Sequence, residues 1–121
     1  MSKKILIVDD SPSIRQMVGN TLREAGYEVV EAADGKEALN KLRTDPVDAA
    51  ITDINMPDLN GIDLIREIRN FPGLRFIPII VLTTEFSNEK KLEGKNAGAT
   101  GWIVKPFKSE QLLTVIRKVL G

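Results

Sequence analysis

Four ionisable residues stand where short apolar runs end: Asp9 and Asp10 after Ile5-Leu6-Ile7-Val8, Asp53 after Ala49-Ala50-Ile51-Thr52, and Lys105 after Trp102-Ile103-Val104. Three carboxylates can hold a divalent metal and an ammonium can pair with an anion, so the combination suits a cation site beside a phosphate site. A carboxylate is also a nucleophile toward phosphorus once a metal neutralises the phosphoryl oxygens and the entering and leaving groups lie in line. Asp53 is the natural candidate for that role. Lys105 would then pair with a phosphoryl oxygen, and Thr83, at the end of the Ile79 to Leu82 run, would donate its hydroxyl to another. Asp10 and Asp53 would ligate magnesium directly, Asp9 would bind through water or orient its neighbour, and a backbone carbonyl near Asn55 would complete the shell. Each aspartate alone reads as a turn or cap residue, and Lys105 alone as a surface lysine. Gathered together they bring no gain in stability, which points to chemistry.

The elements that must gather them are five apolar runs alternating with five helical patterns, the signature of a parallel α/β sheet covered on both faces. The runs are Ile5 to Val8, Tyr27 to Val30, Ala49 to Ile51, Ile79 to Leu82 and Trp102 to Val104. In such a sheet the run ends open onto one edge, and if the first and third strands are neighbours, Asp9 and Asp10 come beside Asp53. The first helix has Ser11 as N-cap and Pro12 at its first position; Ile14, Met17, Val18, Leu22 and Ala25 follow at helical spacing, and Gly26 closes it. The second starts from Asp34 with Glu37 three residues on, a capping-box spacing, and stops before Pro46. The third carries Ile62, Ile65 and Ile68 after Gly61, and the fifth, from near Ser109, aligns Leu112, Leu113, Ile116, Val119 and Leu120. The fourth, Asn88 to Ala97, has only Leu92 as a large apolar residue, contains Gly94 and is basic through Lys90, Lys91 and Lys95. Its attachment to the core is expected to be weak, because Gly94 costs about 1 kcal/mol against alanine.

The 121 residues allow one domain with a real core. Seventeen Lys and Arg balance seventeen Asp and Glu, so no basic excess draws the chain to nucleic acid or to an anionic membrane. Cysteine and histidine are both absent, which excludes disulfides, thiolate catalysis, zinc ribbons, histidine triads and a histidine phosphocarrier. No apolar stretch approaches the roughly 18 residues of a membrane span, and a cytoplasmic protein without membrane insertion is expected.

Asp9-Asp10-Ser11, Asp53 followed by Met56-Pro57 and Gly61, Leu82-Thr83 and Lys105-Pro106 together resemble the receiver domain of two-component response regulators, in particular the stand-alone receivers of chemotaxis. The resemblance spans essentially the whole chain and implies a single receiver domain over residues 1–121 with no output domain. It implies the flavodoxin-like (βα)5 fold, a three-layer sandwich around a five-stranded parallel sheet of order 2-1-3-4-5, the strand order known for chemotaxis receivers. It implies Asp53 as phosphoacceptor for a histidine kinase, Mg²⁺ held by Asp9, Asp10, Asp53 and the Asn55 carbonyl, and Thr83 and Lys105 on the phosphoryl group. A cis peptide before Pro106 is part of the pattern. So is a switch in which Thr83 moves toward the phosphoryl group and frees space for an aromatic residue, here Trp102 where Tyr or Phe is more usual. Asn55 and Glu85 occupy the positions that tune dephosphorylation.

Partners implied are the kinase, a target such as a flagellar motor switch component, and a phosphatase. The target would bind the face of the fourth helix, fifth strand and fifth helix, through Lys90, Lys91, Lys95 and Trp102. The chain would promote its own phosphorylation and dephosphorylation without being an enzyme in the ordinary sense. A relay intermediate passing the phosphoryl group to a histidine phosphotransfer protein is the alternative within the family. Outside it, a flavodoxin-like cofactor binder would need a loop of free backbone N–H groups after the first strand, where Asp9 and Asp10 would repel a phosphate. An aspartate-nucleophile phosphatase would resemble an Asp-x-Asp pair, whereas here the two acids are adjacent.

Overall fold

The computed structural model describes residues 2–120. Ten elements alternate strictly: β1 Lys4–Val8, α1 Pro12–Glu24, β2 Glu28–Ala32, α2 Gly35–Thr44, β3 Ala49–Thr52, α3 Gly61–Arg69, β4 Ile79–Thr83, α4 Asn88–Ala97, β5 Gly101–Val104 and α5 Ser109–Leu120. All strand pairs are parallel and the order is β2-β1-β3-β4-β5. The expected sandwich and strand order are those observed. Among the described residues, no helix is long and apolar enough to cross a membrane.

Side chains alternate across each strand, so β1 sends Ile5 and Ile7 to one face and Leu6 and Val8 to the other. The first face packs on Val18 and Leu22 of α1 and Leu112 and Ile116 of α5. The second packs on Ala38 and Leu42 of α2, Ile62, Ile65 and Ile68 of α3, and Ala97 of α4. Because both faces are covered, the central strands are near-continuous apolar runs rather than alternating ones.

The helix starts follow the capping residues. Ser11 Oγ accepts from the Ile14 N–H, and Asp34 from the Glu37 N–H. Glu37 reaches back to the N–H of Ala33, one residue earlier than a capping box requires. Gly26 follows α1 at φ 97°, a conformation that costs any other residue strain.

Two readings of the sequence need correction. Met17 is 43% exposed and Ala25 is also exposed, so the buried stripe of α1 is narrower than its apolar spacing suggested. β2 begins one residue later than Tyr27 and runs on to Ala32, because Glu31 turns outward to Arg15 and Arg23 while Ala32 is buried. In α4, as the expected weak attachment implies, Leu92 is 58% exposed, and the helix rests on Gly94 and Ala97.

Candidate functional site

Register sets the geometry of the carboxyl edge. Val8 pairs with Thr52, so the next residues, Asp9 and Asp53, emerge side by side from the two central strands. Thr83 pairs with Val104, which brings Lys105 to the same edge from β5. The Asp53 N–H donates to the Val8 carbonyl and the Lys105 N–H to the Thr83 carbonyl, prolonging the ladders by one residue into the site.

The Lys105 ammonium donates to Asp9 Oδ2 at 2.8 Å and to Asp53 Oδ2 at 3.0 Å. Both acids are buried, Asp9 at 3% and Asp53 at 8% exposure, and the ammonium between them is what makes that burial tolerable. Burial pushes the Lys105 pKa down, but its hydrogen bonds and charge contacts with Asp9 and Asp53 push it up by more, leaving it above the ordinary lysine value. The peptide bond between Lys105 and Pro106 is cis. The remaining oxygens are oriented by backbone: Ser11 N–H donates to Asp9 Oδ1 and Asn55 N–H to Asp53 Oδ1.

Asp10 is exposed, and it completes a group in which Asp9, Asp10 and Asp53 each offer an oxygen within 4.8 Å of the others. Three carboxylate oxygens at one point form a hard, anionic donor set that fits magnesium.

Thr83 is fully buried, and its Oγ1 accepts the Glu85 N–H. The Glu85 carbonyl in turn accepts the Trp102 indole N–H at 2.9 Å. A chain of contacts thus joins Thr83 to Trp102 through the backbone of one residue. The Trp102 ring lies over Gly94, where an added Cβ would sit 2.7 Å from Cζ3, so the glycine that weakens α4 also makes room for the larger aromatic. The sequence showed this glycine only as a helix breaker.

Of the other candidates, Asn55 is exposed, and the Glu85 carboxylate accepts the Ser87 N–H ahead of α4. The three lysines of α4 do not form one patch. Lys91 and Lys95 line a groove of about 230 Å³ with Trp102, Ala99 and Thr100. Lys90 pairs with Glu93 and faces a different cleft, beside Asn55 and Asp63.

Gly61, marked in the sequence only by its place in the motif, is a positioning residue. Gly61 opens α3 directly against the β3 end: a Cβ there would lie 2.1 Å from the Asp53 carbonyl oxygen and 2.6 Å from Ile54 Cα. Its N–H donates to the Ile54 carbonyl, and Asn60 caps the helix by accepting from Asp63. The loop before it includes Asp58 at φ 65°, a conformation Asp tolerates better than most residues.

A doubly wound sheet whose carboxyl edge carries three clustered aspartates, two of them bridged by a lysine, is the arrangement of a receiver domain. The chain belongs to the response regulator receiver domain family, which it matches over residues 5–117. Among its relatives, the chemotaxis protein CheY1 of Helicobacter pylori is 42% identical, with 98% of this chain and 97% of that protein covered. The chemotaxis protein CheY of Pseudomonas aeruginosa is 39% identical, with 96% and 94% covered. The structure superimposes on that of the chemotaxis protein CheY4 of Vibrio cholerae with a TM-score of 0.96 and 52% identity, covering 99% of this chain and all of that one. It also resembles the receiver domain of a Pseudomonas aeruginosa sensor histidine kinase that holds a magnesium ion in its active site cleft (TM-score 0.90, 31% identity, 100% and 99% covered).

Proposed function

We propose that this chain is a cytoplasmic signalling switch, thrown when Asp53 accepts a phosphoryl group from the phosphohistidine of a histidine kinase. The observation that carries the reading is the Lys105 ammonium held between Asp9 and Asp53 at an edge that also gathers Asp10. An Asp53 carboxylate oxygen forms the P–O bond as the P–N bond breaks, and the departing imidazole nitrogen keeps the electron pair and takes up a proton. Asp10 and Asp53, with Asp9 and the Asn55 carbonyl, would hold magnesium, which supplies charge neutralisation at the phosphoryl oxygens. Lys105 then exchanges its carboxylate partner on Asp53 for a phosphoryl oxygen. Asn55 and Glu85 flank the acceptor and set how readily water, or a phosphatase, reverses the modification.

Modification replaces a carboxylate by a group of about −2 charge with three strong acceptors. The Thr83 hydroxyl turns to donate to it and releases the Glu85 N–H, so the loop whose carbonyl holds the Trp102 indole shifts. The groove of Lys91, Lys95 and Trp102 changes with it, and this α4-β5-α5 face is the surface offered to a target protein, in chemotaxis a component such as the flagellar motor switch. Lys90, tied to Glu93, lies outside that groove.

Trp102 is the only tryptophan, so the movement has an optical test. Its fluorescence is expected to change when a small phosphodonor and Mg²⁺ are added, and to stay constant in Asp53→Asn. An unchanged spectrum at full modification would show that the indole is fixed core and that the link through Glu85 transmits nothing.

A further inference from the structure

The opposite edge of the sheet, where the strands begin, carries a groove of about 520 Å³ that the phosphoryl chemistry does not use. Its floor is apolar: Val47 ahead of β3, Ile77 and Pro78 ahead of β4, and Val119 and Leu120 at the end of α5. On its rim stand Lys3, Arg75 and Phe76. Phe76 is 91% exposed, with the Arg75 guanidinium 5.7 Å from its ring centroid. A second cleft, of about 470 Å³, shares Arg75 and Phe76 and adds Arg69.

The lining of this groove is weighted toward cations. Among the described residues, Lys3, Arg69 and Arg75 have no carboxylate within salt-bridge reach. Arg69 donates only to the carbonyls of Leu74, Ile77 and Gly98, which satisfy its protons without neutralising its charge. The one acid on the rim, Asp48, accepts the Lys4 N–H at 2.8 Å and keeps its charge, so it offsets one of the two rim cations, Lys3 and Arg75. An exposed aromatic beside arginine, at the mouth of an apolar groove, has the composition of a binding hot spot.

We propose that this amino-edge groove docks an extended segment of a partner protein, one that presents an apolar side chain flanked by carboxylates. The apolar side chain enters the floor between Ile77 and Leu120, and the carboxylates meet Lys3 and Arg75. A membrane fits less well, because Phe76 alone projects from the groove while its other apolar residues lie recessed, whereas membrane binding scales with the apolar area that enters the bilayer. The groove lies at the strand ends remote from Asp53, so docking there is independent of phosphorylation.

The test uses the full ¹⁵N-labelled chain and the peptide acetyl-Glu-Asp-Leu-Phe-Asp-Glu-amide, beside the same peptide with lysine for every acid. Amide shifts at Val47, Phe76, Ile77 and Leu120 are expected with the acidic peptide alone. Arg75→Glu and Phe76→Ala should each weaken binding by about tenfold, the loss of one interfacial anchor. Both positions are exposed, so unchanged urea midpoints should show the variants folded. The proposal is overturned if shifts are absent or confined to the Asp53 edge, or if the lysine peptide binds equally. Self-association abolished by Phe76→Ala, or binding to phosphatidylglycerol vesicles without binding to the peptide, would also overturn it.

Discussion

Replacing Gly61 by alanine is expected to destabilise the protein by about 3 kcal/mol or more, at the upper end of overpacking effects. The added Cβ would lie 2.1 Å from the Asp53 carbonyl oxygen, 2.6 Å from Ile54 Cα and 2.8 Å from the Asp53 carbonyl carbon. All three neighbours are backbone at the end of a central strand, so none can rotate away. The start of α3 must instead lift from β3, carrying with it the loop that orients the Asp53 carboxylate through the Asn55 N–H. Two other glycines calibrate the effect. A Cβ at Gly26 meets nothing within 4 Å, so Gly26→Ala should cost only the strain of φ 97°, about 1–2 kcal/mol. At Gly94 the obstacle is the Trp102 ring, which is half-exposed and can move, so its cost should fall below that of Gly61→Ala. Urea midpoints of the three variants check the order. A Gly61→Ala protein as stable as Gly26→Ala would show that the close approach at the β3 end is not a constraint.

Lys105→Met should produce the second large effect. The substitution keeps much of the side-chain volume and removes only the charge, leaving Asp9 and Asp53 buried beside each other without their shared cation. Loss of one partner from a buried ion pair costs about 3 kcal/mol, and the fall should be measured first in the presence of a chelator. Millimolar Mg²⁺ should then stabilise the variant more than it stabilises the parent, because a divalent ion no longer competes with the ammonium for the same oxygens. If the variant's loss is the same with and without Mg²⁺, the three aspartates do not share one cation site with Lys105.

How much of this was visible in the residues depends on the kind of interaction. Ser11, Pro12, Asp34 and Gly26 act on their own local backbone, so the helix boundaries they mark could be read directly. The four charges at run ends were equally visible, because a strand that stops at a carboxylate places it on the carboxyl edge wherever the strand lies. The order of the strands was not readable this way; it came through the resemblance, since nothing local in β1 says that β3 is its neighbour. Features set by contact between distant elements were missed. Gly94 looked like a defect until Trp102, from β5, was seen to fill the space it leaves. Gly61 was marked only as a motif residue, and its role stayed hidden because its constraint is the backbone of Asp53. Leu92, the one large apolar residue of α4, lies outside the core, because α4 has no wide apolar face to turn inward and rests on its small residues instead. Lys90 is separated from Lys91 and Lys95 by the helical rotation between neighbouring positions, which places it toward α3 and the Asn55 cleft.

The central claim is that Asp53 is the single phosphoacceptor, and intact-mass measurement tests it most directly. With a small phosphodonor and Mg²⁺, the chain should gain the mass of one phosphoryl group, and Asp53→Asn should gain none. A mass gain that survives Asp53→Asn, or a folded parent that gains none, would contradict it.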